Sequence, residues 1–81
     1  MRLDKYLKVS RIIKRRTIAK EASENGRVSI NGKVAKPGTD VAVGDIIEIR
    51  FGDKLFKAEI TYVAEHMSKD GAKEMYRMIE E

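Results

Sequence analysis

The 81-residue sequence predicts an α+β fold, with two N-terminal helices packed on a small antiparallel sheet and a short C-terminal helix, in the order ααββββα. Three features lead there. Apolar residues fall at helical spacing up to Gly26, and the period then changes to two. The dipeptides Asn31-Gly32, Gly44-Asp45 and Gly52-Asp53 punctuate the alternating stretch with turns. A chain of this length makes one domain and buries only about 60% of the surface its unfolded form exposes, so a deep catalytic cavity is not expected.

The first helix covers residues 3–9, where Leu3, Tyr6 and Leu7 form an apolar stripe while Arg2, Lys5 and Lys8 recur every third residue on the other side. The second should begin at Thr17, whose hydroxyl is able to cap the free amides of a first turn, and run through Ile18, Ala19 and Ala22 to Asn25-Gly26. Gly26 can take the left-handed conformation that ends helices. The reciprocal capping box is missing, because Lys20 stands where Glu or Gln belongs.

Val28 and Ile30 then alternate with Arg27 and Ser29. Asn31-Gly32 favours the positive backbone angles of a tight hairpin, so 33–35 returns as the partner strand. After a turn region at 37–40 come Val41, Val43, the Gly44-Asp45 turn, and the alternating Ile47, Ile49 and Phe51 of another strand. Residues 55–63 make a further strand. Ala72, Met75, Tyr76 and Ile79, at i, i+3, i+4 and i+7, form the apolar stripe of the C-terminal helix.

Composition narrows the function. The chain has no cysteine, so no disulfide framework or thiolate metal site is available, and the single His66 cannot build a zinc cage; no metal and no cofactor are expected. The N-terminus stays charged through Arg16, leaving no room for the apolar core of a secretory signal, and no apolar run approaches the ~20 residues a membrane helix needs. The expected setting is the cytoplasm, without a membrane partner. Charge is divided along the chain: residues 1–36 carry eleven Lys or Arg against Asp4, Glu21 and Glu24, a net of +8, and residues 37–81 carry six against ten, a net of −4. Solubility alone would be served by interspersed signs, so a one-sided field points to a polyanion.

Arg11, Lys14, Arg15 and Arg16 deliver four cations to the mouth of the second helix. A helix amino end adds unpaired N–H groups and partial positive charge, so Thr17 and the amides after it are placed to hold one phosphate with Arg16. Arginine's planar fork matches phosphate oxygens in pairs. The candidate RNA-binding set is Arg2, Lys5, Lys8, Arg11, Lys14, Arg15, Arg16, Thr17, Lys20, Arg27 and Lys33. The plain alternative for the run at 11–16 is a solvated basic loop. Arg27 and Lys33 flank a hairpin whose tip is in the first place a turn, and Asp4 suits the helix dipole and orients Arg2 or Lys5.

No catalytic residue is expected. The stretch 26–33 fails as a nucleotide phosphate loop, since five residues separate its glycines where the motif has four and Val34 replaces Ser or Thr. Asp40 with Asp45, and Glu80 with Glu81, have no neighbouring base or metal partner, and His66 falls in a solvated loop. Met67, Met75 and Met78 with Tyr76 read as core packing rather than a partner face. Of five aromatic residues only Tyr6 lies in the basic half, on the apolar stripe, so stacking on single strands is disfavoured against recognition of folded RNA by shape and backbone.

The segments Arg2-Leu3-Asp4-Lys5-Tyr6-Leu7, Arg16-Thr17-Ile18-Ala19, Gly26-Arg27-Val28-Ser29-Ile30-Asn31-Gly32 and Val43-Gly44-Asp45-Ile46-Ile47 resemble the alpha-L RNA-binding domain, first described in a small-subunit ribosomal protein and found in pseudouridine synthases and tyrosyl-tRNA synthetases. The resemblance implies an alpha-L RNA-binding domain at 1–51 and a C-terminal strand and helix extension of the same compact unit at 52–81. One departure bears on turn shape: members commonly have proline where Val43 precedes Gly44-Asp45.

Over its whole length the chain is similar to stand-alone members of this family, relatives of a small heat-shock protein that binds free large ribosomal subunits carrying peptidyl-tRNA. That similarity implies ribosome-associated quality control: holding the peptidyl-site tRNA of an obstructed large subunit while an RqcH-type tailing factor on the same subunit delivers alanyl-tRNA for C-terminal alanine tailing. The implied partners are large-subunit rRNA, peptidyl-site tRNA and that factor, with the chain itself a monomer. Arg2 and Arg16 would meet an rRNA hairpin, other cations of the first half would lie nearer the tRNA, and the acidic half would face away. Rescue or recycling of large subunits without tailing uses the same site and stands as the alternative, alongside an assembly role.

Overall fold

Leu3, Tyr6 and Leu7 are wholly buried in the computed structural model, which describes residues 1–79, and the helix that carries them, α1, spans Leu3–Val9. No side chain caps α1. Its first amides are taken up by the loop at 37–39 instead: Leu3 N–H donates to the Thr39 carbonyl at 2.8 Å and Asp4 N–H to the Pro37 carbonyl at 3.1 Å. The loop is thereby tied to the helix start, and Arg2 forms an isolated bridge with Asp40.

The second helix, α2, spans Arg16–Glu24, starting one residue before the predicted Thr17. Arg15 is extended (φ −114°, ψ 131°) and its carbonyl accepts the Ala19 N–H at 3.0 Å, so hydrogen bonding begins there and Thr17 lies inside the first turn, not at its cap. The end conforms to expectation. Gly26 is left-handed (φ 75°), Gly26 N–H donates to the Ser23 carbonyl and Arg27 N–H to the Ala22 carbonyl, the paired bonds of a Schellman ending.

Strands β1 (Val28–Ile30), β2 (Lys33–Val34), β3 (Ile46–Phe51), β4 (Lys54–Ile60) and β5 (Tyr76–Met78) form one antiparallel sheet in the order β2-β1-β3-β4-β5, making the fold α+β as the sequence predicts. The hairpin tip has Asn31 at φ 52° and Gly32 at φ 84°, the pair of positive angles that a two-residue loop requires. Asn31 is committed to structure: its Oδ1 accepts the Ile46 N–H at 2.9 Å and its Nδ2 donates to Asp45 at 3.2 Å. Val43 in place of proline leaves the next turn intact, because Gly44 (φ 97°) and the Asp45 carboxylate, which accepts the Ala42 N–H at 2.9 Å, supply its geometry.

Registering Ile47 against Ala58 and Ile49 against Phe56 puts these residues, with Val28, Ile30 and Ile60, on the sheet face that packs with Leu3, Tyr6 and Leu7. The other face is mixed, with Val34, Ile46 and Leu55 among Glu48 and Arg50, and the Glu59–Arg77 ion pair crosses it between β4 and β5.

The C-terminal segment departs from prediction. Its helix, α3, spans only Lys69–Ala72, and after a 3-10 turn at Lys73–Met75 the chain becomes β5, so Tyr76 lies in a strand and the predicted helical stripe through 79 does not form. Gly71 weakens the helix interior, whereas β4 offers an open edge that Tyr76–Met78 satisfies. Met75 is the anchor. It is fully buried, and its carbonyl accepts the Tyr6 hydroxyl at 2.7 Å and the Thr61 N–H at 2.9 Å. Burial, with Tyr76 adding to it, pushes the Tyr6 phenol pKa up, so this donor keeps its proton. Ala72, Met75 and Tyr76 still face inward, Tyr76 meeting Phe56 edge-on at 5.9 Å, but through a different backbone. Met78 is left 48% exposed, the 55–63 strand stops at Ile60, and the Glu80–Glu81 pair lies outside the described residues.

Candidate nucleic-acid interface

A carboxylate buried in a basic helix pair organises the site. Asp4 is 2% exposed, in the first turn of α1, where the positive helix end favours its charge. It accepts from Arg2 Nε at 3.1 Å and Nη2 at 3.3 Å, from the Lys5 N–H at 2.8 Å, and pairs with Arg16 Nη2 at 3.5 Å. Burial acts to raise its pKa, but the Arg2 hydrogen bond, the Arg16 charge and the Lys5 amide outweigh it and hold the carboxyl below the usual carboxylate range. Asp4 therefore braces two guanidinium groups from two helices. The sequence offers Arg2 or Lys5 as its partner, and it is the Arg2 side chain that pairs with it while the Lys5 ammonium goes to Glu65; Arg16, twelve positions on, joins only through packing of α1 on α2.

Each guanidinium carries five N–H donors and Asp4 uses only some, while the Arg2 and Arg16 side chains remain 56% and 47% exposed. With Thr17 and Lys20 they line an open concavity of about 370 Å³. The α2 amino end opens here. The N–H groups of Arg16, Thr17 and Ile18 have no hydrogen-bond partner among the described residues, in contrast to the first amides of α1. Two braced arginines, a lysine and a helix positive end thus converge on one surface, an arrangement suited to phosphate oxygens. Thr17 contributes its amide, although its hydroxyl caps nothing.

The other candidates separate into groups. Lys8, Arg11 and Lys14 surround a smaller concavity of about 170 Å³ at the opposite end of α1, together with Glu65 and His66. Arg15, Arg27 and Lys33 are exposed and line neither concavity. Lys5 is engaged: its Nζ donates to Glu65 at 2.8 Å, a bond that also draws the Glu65 pKa down. The acidic half therefore does not face away throughout, since Glu65 closes against the basic helix from sixty residues along the chain. His66 comes to the basic surface with it, and no spacing in the sequence signals either residue.

The family model described as the S4 domain matches residues 1–47. Along its whole length the chain is 58% identical to the RQC P-site tRNA stabilizing factor of Listeria monocytogenes, covering 88% of that protein, and 49% identical to that of Bacillus subtilis, covering 94%. Among solved structures, a chain of the trimeric Heat Shock Protein 15 of Vibrio cholerae superposes with a TM-score of 0.89 at 32% identity, over 98% of this chain and 81% of that one.

Proposed function

The chain belongs to the S4-domain family, in the branch of the RQC P-site tRNA stabilizing factors, and from that membership we propose that it is a non-catalytic RNA-binding factor of bacterial ribosome-associated quality control. In this reading it binds obstructed large subunits carrying peptidyl-tRNA in the cytoplasm. It contacts rRNA and steadies the peptidyl-site tRNA while an RqcH-type factor extends the nascent chain with alanine. Residues 1–51 form the RNA-binding domain and 52–81 its extension.

The observation that carries the reading is the Asp4-braced arginine pair at the open end of α2. Stabilising a tRNA calls for cations held at fixed separation on a rigid support, because flexible side chains lose conformational freedom on binding. Arg2 and Arg16 arrive with much of that ordering done. Contact with phosphates is charge-assisted, independent of base identity and strongly salt-dependent. Subunit recycling without tailing, which the resemblance to the small heat-shock relatives implies, is the second reading.

The test is to recover a tagged chain from cells, unaltered and as Arg2→Ala/Arg16→Ala, and identify the RNA and proteins that accompany it. Large-subunit RNA with tRNA and alanine-tailed chains, all lost in the variant, is the expected result. Large subunits without tailed chains would transfer the protein to recycling, and small-subunit RNA or none would overturn the proposal. In isolation, Arg16→Ala should weaken RNA binding by roughly 1 to 3 kcal/mol.

A further inference from the structure

We propose that Lys8, Arg11 and Lys14 form a second RNA-phosphate site at the C-terminal end of α1, and that Arg11 occupies a strained backbone conformation in order to supply it. The inference rests on the RNA-binding reading above and adds to it a separate place of contact. Arg11 has φ 62°. It follows the Ser10 cap of α1, the position at which helices most often take glycine, because a side chain there crowds the backbone. Among the described residues the other left-handed positions are glycines and Asn31, a residue type that tolerates the conformation.

The left-handed turn closes α1, with Arg11 N–H donating to the Lys8 carbonyl and Ile13 N–H to the Leu7 carbonyl, both at 3.1 Å, but these backbone bonds would form as readily with glycine and do not call for an arginine. The Arg11 guanidinium makes no hydrogen bond or ion pair among the described residues, and neither do the ammonium groups of Lys8 and Lys14. An arginine held left-handed where glycine would serve the backbone, with no contact of its own side chain, marks a position kept for that side chain. The three cations line the concavity of about 170 Å³, room for a phosphodiester group, with His66 also in its wall. Glu65, the acid on this wall, is already neutralised by Lys5 at 2.8 Å. Since the carbonyl end of a helix repels anions, the site depends wholly on these side chains.

The experiment measures thermal unfolding and the affinity for a labelled, folded tRNA of the full chain, of Arg2→Ala/Arg16→Ala, and of Arg11→Gly, Arg11→Ala and Arg11→Lys. Arg11→Gly should bind about five- to thirty-fold more weakly while its midpoint stays level or rises by up to about 5 °C. Arg11→Ala should lose the same affinity without any rise, and Arg11→Lys should keep most of it. Near-unaltered affinity of Arg11→Gly, with Arg2→Ala/Arg16→Ala weakened, would overturn this site and leave the proposed function standing. A lowered Arg11→Gly midpoint would overturn the strain argument, and an unaltered chain that binds no RNA would overturn both proposals.

Discussion

Replacing Asp4 with asparagine separates two accounts of the basic surface. The substitution keeps the side chain's shape and raises the net charge by one from +4, so attraction of a polyanion to bulk charge predicts tighter RNA binding. Bracing predicts the reverse. Asp4 holds Arg2 through two donors at 3.1 and 3.3 Å and Arg16 at 3.5 Å, and asparagine presents an N–H group to one of them. Hydrogen bonds to a charged group contribute roughly 1.5 to 3 kcal/mol each, and the half-exposed arginines reduce that through solvent screening, leaving about 1.5 to 3 kcal/mol for the whole constellation. In a domain of this size that lowers the unfolding midpoint by roughly 6 to 20 °C.

RNA affinity of Asp4→Asn, measured by titration well below its midpoint, should fall several-fold despite the added charge. Equal or tighter binding would refute the bracing account. Acid should imitate the substitution. The folded-state pKa of Asp4 is depressed, so the unfolded chain binds its proton first on acidification. The stabilisation is complete above about pH 5 and is lost as pH falls through the folded value, below about pH 4.

Tyr6→Phe removes the 2.7 Å bond to the Met75 carbonyl, which keeps the Thr61 amide as a donor, so urea unfolding should show a loss of about 1 kcal/mol with RNA affinity unchanged at low temperature. An unaltered stability would mean that β5 is held without this bond. Glu65→Gln releases Lys5 from its 2.8 Å pair; affinity should rise at low salt, and the log-log salt slope should steepen by about 0.7 to 0.9 for one added phosphate contact. An unaltered slope would keep Lys5 off the RNA.

Much of the fold was legible because its signals are local. The 3.6-residue period at Leu3, Tyr6 and Leu7 decides which face of α1 is buried, whatever that face meets. Asn31-Gly32 accepts two successive positive φ angles that few other pairs tolerate, so the hairpin follows from two residues. Gly26 ends α2 for the same reason. The charge division is a property of the chain itself, and it marks the basic half as the candidate polyanion-binding one before any coordinate is known.

Competition between distant partners is not encoded in such signals. Ala72, Met75, Tyr76 and Ile79 fit a helical stripe, but the open edge of β4 and the Tyr6–Met75 bond make a strand the better outcome for Tyr76, and both depend on residues far away in sequence. The Asp4–Arg16 and Lys5–Glu65 pairs form only once α1 has packed on α2 and beside the loop that carries Glu65. Composition supplies the cations. Tertiary packing decides which are braced, which are neutralised and which remain open to phosphate, because those outcomes depend on distances of a few ångströms between groups that the chain order keeps apart.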